Sequence, residues 1–126
     1  MISYLNGNMK ELVSKSILLD KKRTMYINIF FFENGCFIIL SENSYRIGSI
    51  TISSSLSNKV TKAHIIPSKY DSFFIDSIAQ RISLMLNGLC LVSLHNKNLL
   101  NINDMKIIMS EILDIISERA KEDERK

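Results

Sequence analysis

The sequence predicts an α+β domain: an about six-stranded, mainly antiparallel sheet with two helices packed on one face. Three observations carry that expectation. Between Asp71 and Leu86 the residues Ile75, Ile78, Ala79, Ile82 and Leu86 recur at three- and four-residue spacing, while Asp76, Gln80, Arg81 and Ser83 mostly take the other side, as in an amphipathic helix. From Met105 onward, Met105, Ile108, Met109, Ile112, Ile115 and Ile116 repeat the pattern. Upstream, Asn34-Gly35 separates two apolar runs in the manner of a two-residue hairpin turn.

Taken in order, residues 1–10, with Asn6-Gly7-Asn8, read as a flexible N-terminal arm. Residues 11–118 read as one α+β domain, and 119–126, a mixed-charge run, as a tail that frays. Glu11 to Leu19 is the first strand, stopped by Asp20-Lys21-Lys22-Arg23, and that basic cluster suits a solvated turn better than a phosphate clamp. Tyr26 to Phe32 and Cys36 to Ser41 form the hairpin. With Asn34-Gly35 as a type I′ turn, Phe32 faces Phe37 and Phe30 faces Ile39. Tyr45 to Ser54 alternates as a half-buried strand, and Ser53 to Lys59 reads as a polar loop. Thr61 to Ile66 is a short strand ended by Pro67, which cannot donate to a ladder. Asn87-Gly88 closes the first helix with left-handed backbone, and Leu89 to Leu94 follows as a buried strand. The second helix is expected to be capped by Asn103 or Asp104.

The hairpin sorts its side chains onto two faces. Ile27, Ile29, Phe31, Cys36, Ile38 and Leu40 make one, apolar and suited to a helix-covered core. Tyr26, Phe30, Phe32, Phe37 and Ile39 make the other, and helices on a single side would leave these aromatics uncovered. Either another layer of the same chain covers them or a partner subunit does. They are therefore the candidate dimer or partner face.

Composition narrows the function classes. With 46% hydrophobic and 23% charged residues among 126, the chain is too apolar for disorder and of a size for one domain. No run approaches the roughly eighteen apolar residues that span a bilayer, so no membrane role is expected and the expected location is the cytoplasm, or also the nucleus. A net charge of +3 with basic residues scattered among acidic ones argues against nucleic acid as a partner. Cys36 and Cys90 sit in apolar runs, where a thiol behaves as a small hydrophobe.

Nothing in the chain spells chemistry. His64 and His95 are far apart and the cysteines lack metal-ligand spacing, so no metal is expected. Nucleophile elbows, phosphate loops and dinucleotide fingerprints are absent, and with four glycines no cofactor is expected. His95 ends an apolar strand, a place where active-site residues sometimes sit, but no carboxylate, Cys or Ser motif is paired with it. An enzyme is not the expectation.

The segment Ile78-Ala79-Gln80-Arg81-Ile82-Ser83, then Asn87, then Cys90-Leu91-Val92-Ser93-Leu94-His95-Asn96 resembles the helix-to-strand signature of the proteasome assembly chaperone 4 family. Cys36-Phe37-Ile38-Ile39-Leu40 and Ile47-Gly48-Ser49-Ile50-Thr51-Ile52 take the places of that family's central strands, and Ile107 to Ile116 resembles its closing helix. The resemblance spans about residues 11 to 118. It implies a non-enzymatic chaperone of 20S proteasome α-ring assembly, binding α-subunits as a dimer with a chaperone 3-like partner, or a homodimer in isolation. The alternative is a small dimeric adaptor in trafficking or signalling, because small sheets with helices on one face serve there too.

Overall fold

The structure, a computed structural model, describes residues 11–56, 59–66 and 71–124; the expected N-terminal arm, residues 1–10, lies outside them. Six strands form one sheet: β1 (Leu12–Leu18), β2 (Thr24–Phe32), β3 (Gly35–Glu42), β4 (Ser49–Leu56), β5 (Lys59–Ile66) and β6 (Leu89–His95). Their order is β1-β2-β3-β6-β4-β5, with β3 and β6 parallel and every other neighbouring pair antiparallel. The helices α1 (Ser72–Leu86) and α2 (Ile102–Glu124) lie on one face, as the sequence predicts. β6 sits centrally because its run Leu89-Cys90-Leu91-Val92 leaves little for water to solvate, and a strand flanked on both sides needs least of it.

The core is isoleucine-rich. Ile27 and Ile29 of β2, Ile38 and Leu40 of β3 and Val92 of β6 meet Ile75, Ile78 and Ile82 of α1 and Ile108, Ile112 and Ile116 of α2, all buried. Cys36 and Cys90 face each other in the parallel register as free buried thiols, Sγ to Sγ 3.8 Å. The contact with Cys36, and then burial, push the Cys90 thiol upward, so it stays protonated and behaves as the small hydrophobe the sequence suggested.

Several boundaries differ from the sequence reading, each for a physical reason. The hairpin turns at Glu33-Asn34, not Asn34-Gly35, and neither turn residue has positive φ, so no type I′ turn forms. Gly35 is used instead where β3 meets β6: its φ is +157°, and a Cβ there would lie 2.0 Å from the Leu89 carbonyl oxygen. Phe32 consequently faces Gly35 and Phe30 faces Phe37. This shift of two residues in register leaves the facing of every side chain unchanged.

β4 begins at Ser49, not Tyr45, because the preceding amides bond to side chains: Arg46 N–H to Ser41 Oγ at 2.9 Å and Gly48 N–H to Ser93 Oγ at 3.0 Å. At its other end β4 runs to Leu56 and pairs with β5 from Lys59, so residues 53–56 and 59 of the expected polar loop are strand, while 57 and 58 lie outside the described residues. α2 is capped by Asn101, whose Oδ1 accepts the Asp104 N–H at 2.7 Å, not by Asn103 or Asp104. The residues from 119 onward, expected as a frayed tail, continue α2 to Glu124, and the Arg119 guanidinium lies 4.8 Å from the centre of the Phe31 ring.

Candidate interaction face

Along the middle of β4 three hydroxyl side chains turn inward and both isoleucines outward, with Ser54 also on the outward face. Thr51, Ser53 and Ser55 are buried against the helix layer, while Ile50 and Ile52 occupy the opposite face, half exposed. The inward hydroxyls have partners on α1: Thr51 Oγ1 donates to Asp76 Oδ1 at 3.2 Å, and Ser53 and Ser83 hydroxyls lie 3.0 Å apart. Lys62 Nζ completes the seam by donating to Asp76 Oδ2 at 2.9 Å. Asp76 and Ser83, expected on the solvent side of α1, are thus buried, because hydrogen bonds to β4 offset their desolvation.

The outward isoleucines join a continuous row. Following the pairing from edge to edge, Leu12, Phe30, Phe37, Leu91, Ile52 and Ala63 stand side by side on the face away from both helices. The flanking rows add Phe32, Leu89 and Ser54 on one side and Ser14, Asn28, Ile39, Ser93 and Ile50 on the other. No Asp, Glu, Lys or Arg occurs in these three rows, whereas Lys15, Glu42 and Lys62 take the helix-covered face. A sheet face meant for water carries charged side chains; this one is furnished like a contact surface.

The five residues singled out from sequence meet on this face. Tyr26, Phe30, Phe37 and Ile39 are half-buried, and Phe32 is 63% exposed at the hairpin end. Among the described residues both helices lie on the opposite face, and only the segment leading into β4 leans over this one. Tyr45 stacks on Tyr26 with ring centres 4.8 Å apart, and Arg46 and Ile47 close a shallow hollow of about 290 Å³ over Phe30 and Ile39. Sequence reasoning passed over Ile50, Ile52, Leu89 and Leu91, since alternation shows that two faces exist but not which one the helices choose.

The basic cluster at the start of β2 also departs from expectation. Lys21 and Lys22 are exposed, but Arg23 is half-buried in a network: Nε to Glu42 Oε2 at 3.0 Å and Nη2 to Glu42 Oε1 at 2.6 Å. It further donates to the Leu99 and Asn98 carbonyls, with Asp104 3.8 Å away. The Arg23 hydrogen bonds hold the Glu42 carboxyl below its ordinary value of 4.5. Such a residue is invisible to a charge-run reading because its partner lies nineteen positions away on the neighbouring strand.

His95 ends β6 half-buried, beside Ser41 in the parallel register, and its Nε2 has no hydrogen-bond partner among the described residues. It lines neither the hollow over Phe30 nor the larger one of about 490 Å³ at the hairpin tip between Glu11, Phe32, Glu33 and Arg119. Among the described residues no group of three or more His, Cys, Asp or Glu side chains is placed to hold a metal ion. No described helix is long and apolar enough to cross a membrane.

No family model matches the sequence, and no curated protein does. The fold, however, has a solved counterpart: a chain from the crystal structure of a chaperone complex for yeast 20S proteasome assembly superposes with a TM-score of 0.61 at 15% identity. The match covers 83% of this chain and 98% of that one, so the two share an architecture.

Proposed function

We propose that the protein is a non-enzymatic chaperone of 20S proteasome assembly, working in the cytoplasm or nucleus by pairing through its open sheet face with a second, related small chaperone. The observation that carries this reading is the inversion of β4, which buries Thr51, Ser53 and Ser55 and displays Ile50 and Ile52 in an uncharged apolar row. A stable interface of standard size buries about 800 Å² on each partner, with an apolar centre and few charges, and such a face supplies that centre. The architecture shared with a chain of a proteasome assembly chaperone complex supports the assembly role. In this reading Tyr26, Phe30, Phe32, Phe37 and Ile39 contact the partner, a chaperone 3-like subunit, and the pair binds proteasome α-subunits while the α-ring is built. A chaperone of this kind releases its client, and surface complementarity without covalent chemistry suffices for that.

Affinity capture of the tagged chain from its native cell, with mass spectrometry and with light scattering of the purified protein, tests the reading. The expected result is a second small chaperone and free α-subunits for the wild type, and loss of the small chaperone for Phe37→Asp and for Phe32→Asp, with circular dichroism unchanged. A stable dimer whose partners exclude proteasome subunits replaces this reading by the adaptor.

A further inference from the structure

The strand directions bring one end of the sheet together with the starts of both helices: β1, β3, β5 and β6 finish there, and β2 and β4 begin there. Among the described residues the large exposed hydrophobic side chains gather at that end, with Phe32, Leu84 and Met85 the exceptions. On its helix side stand Phe73, Leu99 and Ile102, of which Phe73 is 85% exposed. They belong to one connected surface. Arg23 ties the start of β2 to Asn98 and Leu99, Asn101 Nδ2 donates to Asp20 Oδ2 at 3.0 Å, and Asp71 Oδ2 accepts from Asn96 Nδ2 at 2.6 Å and from the Leu100 N–H.

We propose that this end is a second docking surface, separate from the open sheet face, for a protein surface with an apolar centre and a carboxylate rim. The inference rests on the chaperone reading and assigns the client to this end, as the open face is taken by the second chaperone. Charge complementarity selects the occupant. Lys21, Lys22 and Lys97 are exposed here, whereas Glu42, Asp71 and Asp104 are buried and hydrogen-bonded, which leaves Asp20 as the exposed carboxylate among the described residues of this surface. Lys21 and Lys22 are held at φ of 60° and 59°, a left-handed backbone that non-glycine residues rarely adopt. The network that fixes them also fixes the apolar residues beside them, so the surface is preorganised and association need not order it.

The test measures binding of the full-length chain to recombinant proteasome α-subunits, one at a time, by biolayer interferometry at low and high salt. The variants are Lys21→Glu with Lys22→Glu, Phe73→Ser with Ile102→Ser, and Phe37→Asp on the open face. We expect at least one α-subunit to bind, more weakly as salt rises, and both end variants to weaken it about tenfold or more while pairing with the small chaperone is unchanged. The inference is overturned, and the chaperone reading kept, if both end variants bind as tightly as the wild type. Should no α-subunit bind the wild type at all, the chaperone reading falls and this assignment with it.

Discussion

On the helix-covered face β2 and β3 set Met25, Ile27, Ile29, Ile38 and Leu40 side by side, fully buried, while one residue along each strand the opposite face sets Tyr26, Phe30, Phe37 and Ile39, half exposed. Both sets are apolar, so hydropathy does not separate them. The accompanying polar residues do. The covered face includes Lys15, Thr51, Ser53 and Lys62 and gives each a hydrogen-bond partner, whereas the three central rows of the open face carry no charge at all. A polar group beneath a helix is tolerable when a fixed neighbour in the same chain satisfies it. On a face to be covered by another molecule, a charge would have to find its counterpart at every encounter, and leaving charges out removes that requirement.

The contrast can be broken by substitution. Removing the Glu42 carboxylate should have the largest effect, because Arg23, its side chain only 14% exposed, would keep its charge without its bidentate partner; Glu42→Ala should lose about 3–5 kcal/mol by urea denaturation. A loss under about 1 kcal/mol would mean that the network is not needed to hold the loops together. Next come the adjacent residues Ile38 and Ile39, which point to opposite faces. Ile38→Ala, at a fully buried site, should cost about 2–5 kcal/mol, and Ile39→Ala under about 1 kcal/mol in the isolated chain. Equal costs for the two would show that the isolated chain covers both faces.

Acid weakens the same network. The Glu42 carboxyl is depressed in the folded state, so its contribution is fully present above its ordinary value of 4.5 and is lost as pH falls through the lower folded value. Denaturation midpoints measured downward from neutral pH should drop steeply below that point in the wild type and less steeply in Glu42→Gln. The smallest effect belongs to the seam between β4 and α1. Ser53→Ala should cost about 1 kcal/mol by leaving the Ser83 hydroxyl with only its local bond to the Gln80 carbonyl, and Ser53→Ala with Ser83→Ala should cost less than the sum of the singles.

Much of the architecture was legible because it rests on periodicity. Both helices, the left-handed Asn87 that ends α1, and the alternation of Ile27, Ile29, Ile38 and Leu40 all follow from spacing along the chain. Boundaries were less legible where a distant strand competes for local groups. Gly35 suits a hairpin turn, but the approach of Leu89, fifty-four positions on, claims it for β3. Arg23 fits a solvated turn until Glu42 and the Leu99 carbonyl surround it. Tyr26, Phe30, Phe32, Phe37 and Ile39 share one face as expected because a two-residue change of register preserves facing, while their neighbours on β4 and β6 depend on a strand order that no local pattern encodes.

Periods of 3.6 and 2 are properties of a single segment, so the six strands and two helices, the isoleucine core and the two apolar faces of the hairpin follow from local pattern alone. The place of β6 between β3 and β4, the inward turn of Thr51, Ser53 and Ser55 with Ile50 and Ile52 outward, and the pairing of half-buried Arg23 with Glu42 come from contacts across the fold. Each of those choices is settled by which partner arrives from elsewhere in the chain, and the free energy of a hydrogen bond or a buried methyl exists only once that partner is in place.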